Sequence, residues 1–183
     1  MIELKSITFR FDGQTVFENR SFTLPDHGTV LLTGESGIGK TTLLRILAGL
    51  IKPQGGSISG LEQRKISFVF QEPRLLESLS AIENVSLVSD RKTAQRLLDE
   101  LNLKSELHKK ASELSGGQKQ RVSLARAFAF SDDVVLLDEP FTGLDEQNKK
   151  RAAQLIASAD LAIVVTHDTT DAKLLHADRK INL

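Results

Sequence analysis

The start of the chain alternates apolar and polar residues in the way that β-strands do. Apolar residues recur loosely through residues 2–11 and again through residues 15–24. Because alternate side chains of a strand point to opposite faces, this pattern predicts two strands. Asp12-Gly13-Gln14 lies between them and favours a tight turn. The sequence therefore predicts an antiparallel hairpin ahead of the rest of the domain.

Four later segments are short, continuous and apolar, as strands buried on both faces of a parallel sheet are. Segments with helical spacing follow the first, third and fourth of them, and short strands are expected at residues 57–59 and 180–183. Together they predict an α/β fold with a mostly parallel sheet and an N-terminal antiparallel β subdomain. The four buried strands are residues 29–33, 65–70, 134–137 and 161–165, and the three helices are residues 42–51, 146–159 and 171–176.

The middle of the chain has helical patterns and no strand-like ones. Residues 81–88 and 93–103 place apolar side chains at helical spacing, and a third helix is predicted from Ser115 onward. We interpret residues 72–130 as a helical subdomain inserted into the α/β core. The whole chain, residues 1–183, is expected to be a single domain.

Composition narrows the classes of function. The 24 basic and 24 acidic residues balance, so no overall positive field favours nucleic acid as a partner. The absence of cysteine excludes disulfides and thiolate metal sites. The first residues lack the pattern of a signal peptide, and no apolar run reaches the roughly 20 residues that cross a bilayer. We expect a soluble protein whose role at a membrane, if it has one, depends on a partner.

Residues 34–41 read Gly-Glu-Ser-Gly-Ile-Gly-Lys-Thr and fit the pattern of a phosphate-binding loop. The glycines let successive backbone N–H groups converge on phosphate oxygens, Lys40 supplies a positive charge, and the Thr41 hydroxyl can bind Mg²⁺. A chance glycine-rich turn is the alternative, but a strand precedes the motif and a helix follows it, as the motif requires. The residues predicted to contact the nucleotide here are Gly34, Glu35, Ser36, Gly37, Ile38, Gly39, Lys40, Thr41 and Thr42.

Polar residues follow three of the other buried strands. Gln71 follows the second, Asp138 and Glu139 end the third, and His167 follows the fourth. Because α/β sheets bind ligands at the carboxyl ends of their strands, these side chains are expected near the phosphate loop. Asp138 is predicted to hold Mg²⁺ and Glu139 to polarise the attacking water, and Gln71 could touch either. Taken singly, Gln71 would more often be a loop residue and His167 a structural one.

Leu114-Ser-Gly-Gly-Gln118 opens the third helix of the helical segment. Ser115 and Gln118 form the capping-box pattern, and two glycines in a first helical turn cost roughly 1 kcal/mol each against alanine. The expected reason is close approach of a ligand to the backbone of Gly116 and Gly117, since a capped helix start with free N–H groups suits an anion. A helix cap without any ligand is the alternative.

With these motifs in their order, the sequence resembles the ATP-binding-cassette (ABC) ATPases over essentially its whole length. Residues 34–41 resemble the Walker A motif and residues 134–139 resemble Walker B followed by the catalytic glutamate. Residues 114–118 resemble the family signature, Gln71 the Q-loop, residues 143–145 the D-loop and His167 the switch histidine. Ile38 replaces a commonly small residue of Walker A.

The resemblance implies a mechanism that the residues alone do not. Two such chains would form a head-to-tail dimer, in which each ATP lies on the Walker motifs of one chain and under Ser115, Gly116, Gly117 and Gln118 of the other. Glu139, His167 and Gln71 are implied as catalytic residues, with Thr41, Gln71 and Asp138 around Mg²⁺. Phe11 matches the aromatic residue that stacks on the base in this family, although by itself it would more often be an ordinary core residue.

The resemblance is strongest with subunits that energise transporters. Residues 68–76, followed by Glu83-Asn84-Val85, look like ATPases of nitrate, sulfonate and taurine importers. This implies an integral membrane permease as partner and a location on the cytoplasmic face of the membrane. A soluble ABC ATPase that does not transport is the alternative, and a small-molecule kinase would leave the signature unexplained. The solute, the direction of transport and the choice between homodimer and heterodimer stay open.

Overall fold

A computed structural model describes every residue from Met1 to Leu183. Eight strands form two separate sheets. The strands are β1 (Ile2–Phe11), β2 (Gln14–Leu24), β3 (Gly28–Thr33), β4 (Gly55–Ser59), β5 (Ile66–Val69), β6 (Val134–Asp138), β7 (Leu161–Val165) and β8 (Arg179–Asn182).

Six α-helices and two short 3₁₀ turns complete the fold. The 3₁₀ turns, Lys104–Glu106 and Ala111–Glu113, lie between the third and fourth helices. No helix of this structure is both long and apolar enough to cross a bilayer. The helices are α1 (Lys40–Leu47), α2 (Ala81–Ser86), α3 (Arg91–Glu100), α4 (Gly116–Phe130), α5 (Glu146–Ile156) and α6 (Thr169–Leu174).

The predicted hairpin is present as β1 and β2. Its strands pair antiparallel from Ile2 opposite Leu24 to Phe11 opposite Gln14, and Asp12 and Gly13 form the turn with positive φ angles. Strand β4 joins the other edge of β1, also antiparallel, to give the order β2-β1-β4. The sequence predicted this short strand but not its partner, because nothing local specifies a pairing across about 50 residues.

The second sheet is parallel throughout, in the order β5-β6-β7-β3-β8. Together with the antiparallel sheet it confirms the predicted α/β fold. Because the strands run the same way, their carboxyl ends share one edge of the sheet. The segments that follow β3, β5, β6 and β7 therefore meet at that edge, and these segments carry the candidate site.

The core consists of two apolar layers on either side of the parallel sheet. One layer joins α1 and the antiparallel sheet to side chains such as Val134 and Leu136. The other joins α2 to α5 to the alternate side chains, such as Val135 and Leu137. All five residues of β6 and of β7 are buried, which explains why these strands are continuously apolar.

Helices α2, α3 and α4 lie between β5 and β6 in the chain and pack on one another. The limits of residues 72–130 for an inserted subdomain stay a prediction. Within this region the expected helix over residues 93–103 is displaced towards the N-terminus, since it spans Arg91–Glu100. The side chain of Asp90 caps it, and Asn102 with a φ of 58° follows its end. Both residues are signals of helix ends that the apolar spacing alone did not locate.

The helix after the phosphate loop also differs from the prediction of residues 42–51. It begins at Lys40, two residues earlier, so that Lys40 and Thr41 belong to its first turn. It ends at Leu47 because Gly49, with a φ of 68°, adopts the left-handed conformation that closes many helices. Leu50 is therefore exposed rather than part of the apolar face.

Candidate functional site

The phosphate loop connects the end of β3 to the start of α1. Its backbone takes an unusual course at Gly39, where φ is 108°. A Cβ atom at this position would lie 2.7 Å from Cζ of Phe17 and 2.8 Å from Cγ1 of Val16. Glycine is therefore required here both by the backbone conformation and by the hairpin that packs against the loop.

Lys40 is held inside this loop with only 5% of its surface exposed. Its Nζ atom donates hydrogen bonds to the carbonyl oxygens of Gly34 and Glu35, both at 2.8 Å. An ammonium group has three N–H donors, so one remains for a ligand. The charge is thus placed at the centre of the curve of the loop, where a phosphate would lie.

Thr41 contacts the carboxylate at the end of β6. Its hydroxyl donates to Oδ1 of Asp138 at 3.1 Å. Asp138 is buried, and this burial raises the pKa of its carboxyl, although the bond from Thr41 and the charges of Arg45, His167 and Lys40 partly oppose the shift. The pair presents hard oxygen atoms of the kind that Mg²⁺ binds together with substrate phosphates.

Glu139 lies just outside the strand and faces His167. Its φ of 50° is in the left-handed region, while its N–H still donates to the carbonyl oxygen of Val165 at 2.9 Å. Strand alternation therefore does not decide where the side chain of Glu139 points. Such strained conformations concentrate at functional sites.

The carboxylate of Glu139 is incompletely bonded. Its Oε2 atom accepts a hydrogen bond from the N–H of His167 at 3.4 Å. Its Oε1 atom is buried and lies 3.4 Å from Nε2 of His167, but the two are not aligned for a hydrogen bond. Burial raises the pKa of this carboxyl, opposed first by the charge of His167. The carboxylate of Glu139 is therefore held beside the imidazole of His167 at the carboxyl edge of the sheet.

Two cavities meet at Thr41. The first, which we call the phosphate cavity, has a volume of about 210 Å³ and is lined by the phosphate loop and by the end of β7. The second has a similar volume and brings Gln71 to the same place as Thr41 and Asp138. The first is lined by Ser36, Gly37, Gly39, Lys40, Thr41, Thr42, Val165 and His167, and the second by Thr41, Arg45, Phe70, Gln71, Glu72, Arg74 and Asp138.

Phe11 lines a third cavity, of about 410 Å³, at the tip of the hairpin. It is 66% exposed, so it is not a core residue, and Thr42 lines both this cavity and the phosphate cavity. Arg45 also lines this cavity and the one around Gln71. Sequence reasoning missed Arg45, because one arginine on an amphipathic helix carries no signal of its own.

The signature segment lies elsewhere. None of these three cavities is lined by Ser115, Gly116, Gly117 or Gln118. The capping box is present, since Ser115 Oγ accepts from the N–H of Gln118 and Oε1 of Gln118 accepts from the N–H of Ser115. The predicted helix start is thus correct, but its residues do not line the phosphate cavity of their own chain.

The two signature glycines have different surroundings. A Cβ on Gly117 would lie 2.3 Å from the carbonyl oxygen of Gly143, whereas a Cβ on Gly116 would meet nothing within 4 Å. Packing within the chain therefore explains Gly117, which corrects the expectation that a ligand requires both glycines. Only Gly116 leaves an open backbone surface.

The arrangement has the components that phosphoanhydride hydrolysis requires. The phosphate loop holds the ammonium group of Lys40 and adjoins the hydroxyl and carboxylate pair of Thr41 and Asp138. It also adjoins the strained residue Glu139, whose carboxylate lies beside the imidazole of His167. Asp138 ends β6, Glu139 and His167 lie just after β6 and β7, and Lys40 and Thr41 begin the helix that follows β3. The groups therefore meet at the carboxyl edge of the parallel sheet.

Comparison with known proteins gives a consistent result. A model of the ABC transporter family matches residues 17–142. The chain is 40% identical to the aliphatic sulfonates import ATP-binding protein SsuB of Zymomonas mobilis, over 100% of this chain and 81% of that protein. It is 36% identical to the Fe(3+) ions import ATP-binding protein FbpC of Escherichia coli O157:H7, over 93% of this chain and 56% of that protein.

Solved structures agree with these relatives. The fold is similar to the ATP-binding cassette MJ0796 in a dimeric post-hydrolysis state bound to ADP and Pi, with a TM-score of 0.87 and 29% identity over 100% of this chain and 94% of that chain. A second dimeric structure of MJ0796, described as a bacterial ABC transporter cassette, gives the same TM-score at 30% identity with the same coverage.

Proposed function

This chain belongs to the ABC transporter family and is an ATPase of that family, and we propose that it powers an importer through ATP-dependent pairing of two such subunits. The observation that carries the catalytic part is the placement of Glu139 just after β6, with its Oε1 atom 3.4 Å from Nε2 of His167, a residue that lines the phosphate cavity. The import names of its relatives favour transport over a soluble ABC ATPase without a transport role.

Different residues around the phosphate cavity would bind the phosphates, the base and Mg²⁺. Lys40 and the N–H groups of residues 34–42 would bind the phosphates, and Phe11 would stack on the base. Thr41, Asp138 and Gln71 would hold Mg²⁺, which supplies charge neutralisation on the β- and γ-phosphates when bound. The hydroxyl and carboxylate oxygens of Thr41 and Asp138, 3.1 Å apart, fit such an ion.

Glu139 would act on the water. A carboxyl with a raised pKa is a better proton acceptor than an ordinary one, and the Oε1 atom of Glu139 has no hydrogen-bond donor in the chain that would compete for this role. His167 would fix this carboxylate from the end of β7 and contact the γ-phosphate. Both residues follow buried strands, so their separation is maintained as ligands enter and leave.

The signature segment would bind the ATP of a second subunit. Its capped helix start, with Ser115 and the open backbone of Gly116, is suited to phosphate, and it lines none of the three cavities around the phosphate loop of its own chain. The dimeric state of MJ0796 with ADP and Pi supports this assignment. We propose a homodimer, because one chain carries both halves of a complete site.

A membrane permease would complete the transporter. Leu76, Leu87 and Val88 are exposed apolar side chains within and after the loop that follows Gln71. A permease contact there would transmit the state of the ATP site through Gln71. The chain would then work on the cytoplasmic face of the membrane without inserting into it.

The experiment that tests this function uses the Glu139→Gln variant. We expect it to bind ATP, to release phosphate from ATP to water about 100-fold or more slowly than the wild type, and to shift from monomer to dimer in gel filtration with ATP and Mg²⁺. Glu100→Gln on α3 is the matched control, since its carboxylate only pairs with Arg96 on the surface.

Three results would count against the proposal. A variant that binds ATP yet stays monomeric would contradict closure of a homodimer without other subunits. Transfer of the γ-phosphate to an acceptor other than water would indicate a kinase. Absence of ATP binding in the wild type would contradict the whole assignment.

A further inference from the structure

Arg126 on α4 is a half-buried arginine without a carboxylate partner. Its Nη2 atom donates to the backbone carbonyl oxygens of Pro73 at 3.2 Å and of Arg74 at 3.0 Å. Burial alone lowers the pKa of its guanidinium, with no acidic group near enough to oppose the shift. Because a desolvated charge destabilises the fold unless it is compensated, its contact with the loop after Gln71 needs an explanation.

The loop after Gln71 contains a strained turn. Arg74 has a φ of 43°, in the left-handed region that non-glycine residues avoid, and its guanidinium lies 4.1 Å from the centre of the Phe70 ring. The two residues flank Gln71 in the chain, and all three line the cavity that contains Thr41 and Asp138. Arg126 bonds the backbone at the point where this strained turn ends.

The segment beyond the turn is anchored separately. Asn84 is fully buried and bonds the backbone of Leu76, Leu79 and Ser80. Loss of the Arg126 contact would therefore release residues 70–74 without unfolding the segment that follows. Arg126 is the only side chain of α4 that hydrogen-bonds residues 70–74, whereas Lys119 at the start of the same helix pairs with Glu77, beyond the turn.

We propose that Arg126 is a positioning residue, which holds Gln71 against the metal side of the ATP cavity and ties that position to the signature helix. The inference rests on the proposed function. Arg126 lies ten residues after Gly116 on α4, about 15 Å along the helix. A movement of the signature segment on the ATP of a second subunit would thus displace the Gln71 turn of its own site.

A spectroscopic experiment tests the contact itself. The chain has no cysteine, so Glu72→Cys gives a single site for a nitroxide label beside Gln71. We expect the label to become at least twofold more mobile on adding Arg126→Met, and to be less affected by Arg126→Lys, which keeps a donor. Arg96→Met, which removes an exposed arginine of α3, is the control and should leave the label unchanged.

A double-mutant cycle tests the consequence for hydrolysis. We expect Arg126→Met to lower kcat about tenfold with KM for ATP within twofold, and to raise the Mg²⁺ concentration for half-maximal rate. Because it acts through Gln71, the double variant with Gln71→Ala should be within about twofold of Gln71→Ala alone. Thermal unfolding of each variant separates this effect from loss of the fold.

Two outcomes would overturn the inference. One is an unchanged label in a folded Arg126→Met variant. The other is a double variant whose loss equals the product of the two single losses, since this would mean that Arg126 acts independently of Gln71. The label reports on the turn even in the absence of hydrolysis, so a failure here is distinct from a failure of the proposed function.

Discussion

Asp138 shows at the scale of one residue how the site is built at the expense of stability. Its carboxylate is buried with a single hydrogen-bond donor, the Thr41 hydroxyl, and burial raises its pKa. A folded state with a raised carboxyl pKa binds more protons than the unfolded chain. The contribution of Asp138 to stability therefore decreases as pH rises from its ordinary value of 3.8 through the folded pKa.

The first prediction concerns this residue. Asp138→Asn should raise the melting temperature of the ligand-free protein at pH 7.5, because the amide removes a buried charge and can still accept from Thr41. The gain should diminish as pH is lowered, and ATP with Mg²⁺ should stabilise the variant less than the wild type. Calorimetry over a pH series measures both effects.

The pKa of Asp133 is shifted in the opposite direction to that of Asp138. Although burial opposes the shift, bonds from the N–H of Lys65 and from Arg64 lower the pKa of its carboxyl. Its contribution is present at neutral pH and lost as pH falls through the folded pKa. Asp133→Asn should therefore lower the melting temperature at pH 7.5, and equal shifts in both variants would contradict this electrostatic account.

At the scale of an element, the first turn of α4 contains two glycines, Gly116 and Gly117, that have different roles. Gly117 lets the first turn of the helix approach the carbonyl of Gly143, which joins α4 to the loop before α5. A Cβ added at Gly116 would meet nothing within 4 Å, so the backbone is open on that side. The sequence showed that two glycines at a helix start need a reason, but not that the reasons differ, because the loop at Gly143 comes 26 residues after Gly117.

The second prediction uses this pair. Gly116→Ala should leave the free energy of unfolding unchanged or raise it by up to about 1 kcal/mol, because alanine favours helix and meets no atom. It should nevertheless weaken the ATP-dependent dimer. Gly117→Ala should lower the free energy of unfolding by about 1–3 kcal/mol, because the new methyl overlaps a backbone carbonyl.

Denaturant unfolding measures the stability of both variants, and gel filtration of each in the Glu139→Gln background measures the dimer. A destabilised Gly116→Ala variant would contradict the open surroundings of that glycine. Normal dimerisation of Gly116→Ala would contradict the role of its backbone in binding the second nucleotide.

At the scale of the whole molecule, the two edges of the parallel sheet have different tasks. The candidate site occupies the carboxyl edge. At the amino edge, Arg64 donates to Oδ1 of Asp133 at 2.6 Å and to the carbonyl of Asp26 at 2.6 Å, and it also contacts Asp160. This arginine joins the segments before β3, β6 and β7, far from the residues of the phosphate cavity.

The third prediction concerns Arg64. Arg64→Met should lower the free energy of unfolding by about 2 kcal/mol. This loss is smaller than for a fully buried ion pair, because the carboxylate partners of Arg64 are partly exposed. The kcat and KM for ATP should stay within twofold of the wild type. Arg96→Met should change stability by less than about 0.5 kcal/mol, and a large change in KM for Arg64→Met would contradict the separation of the edges.

Local sequence determined the elements and the chemistry at their ends. The buried strands, the phosphate loop with Lys40, and the polar residues Asp138, Glu139 and His167 at strand ends could be located because strand periodicity and phosphate-loop geometry are short-range properties of the backbone. Tertiary structure alone decided the pairing of β4 with β1, the packing of Gly117 on Gly143, and the contact of Arg126 with the Gln71 turn. These join residues far apart in the chain, and no local pattern specifies which distant backbone a side chain will meet.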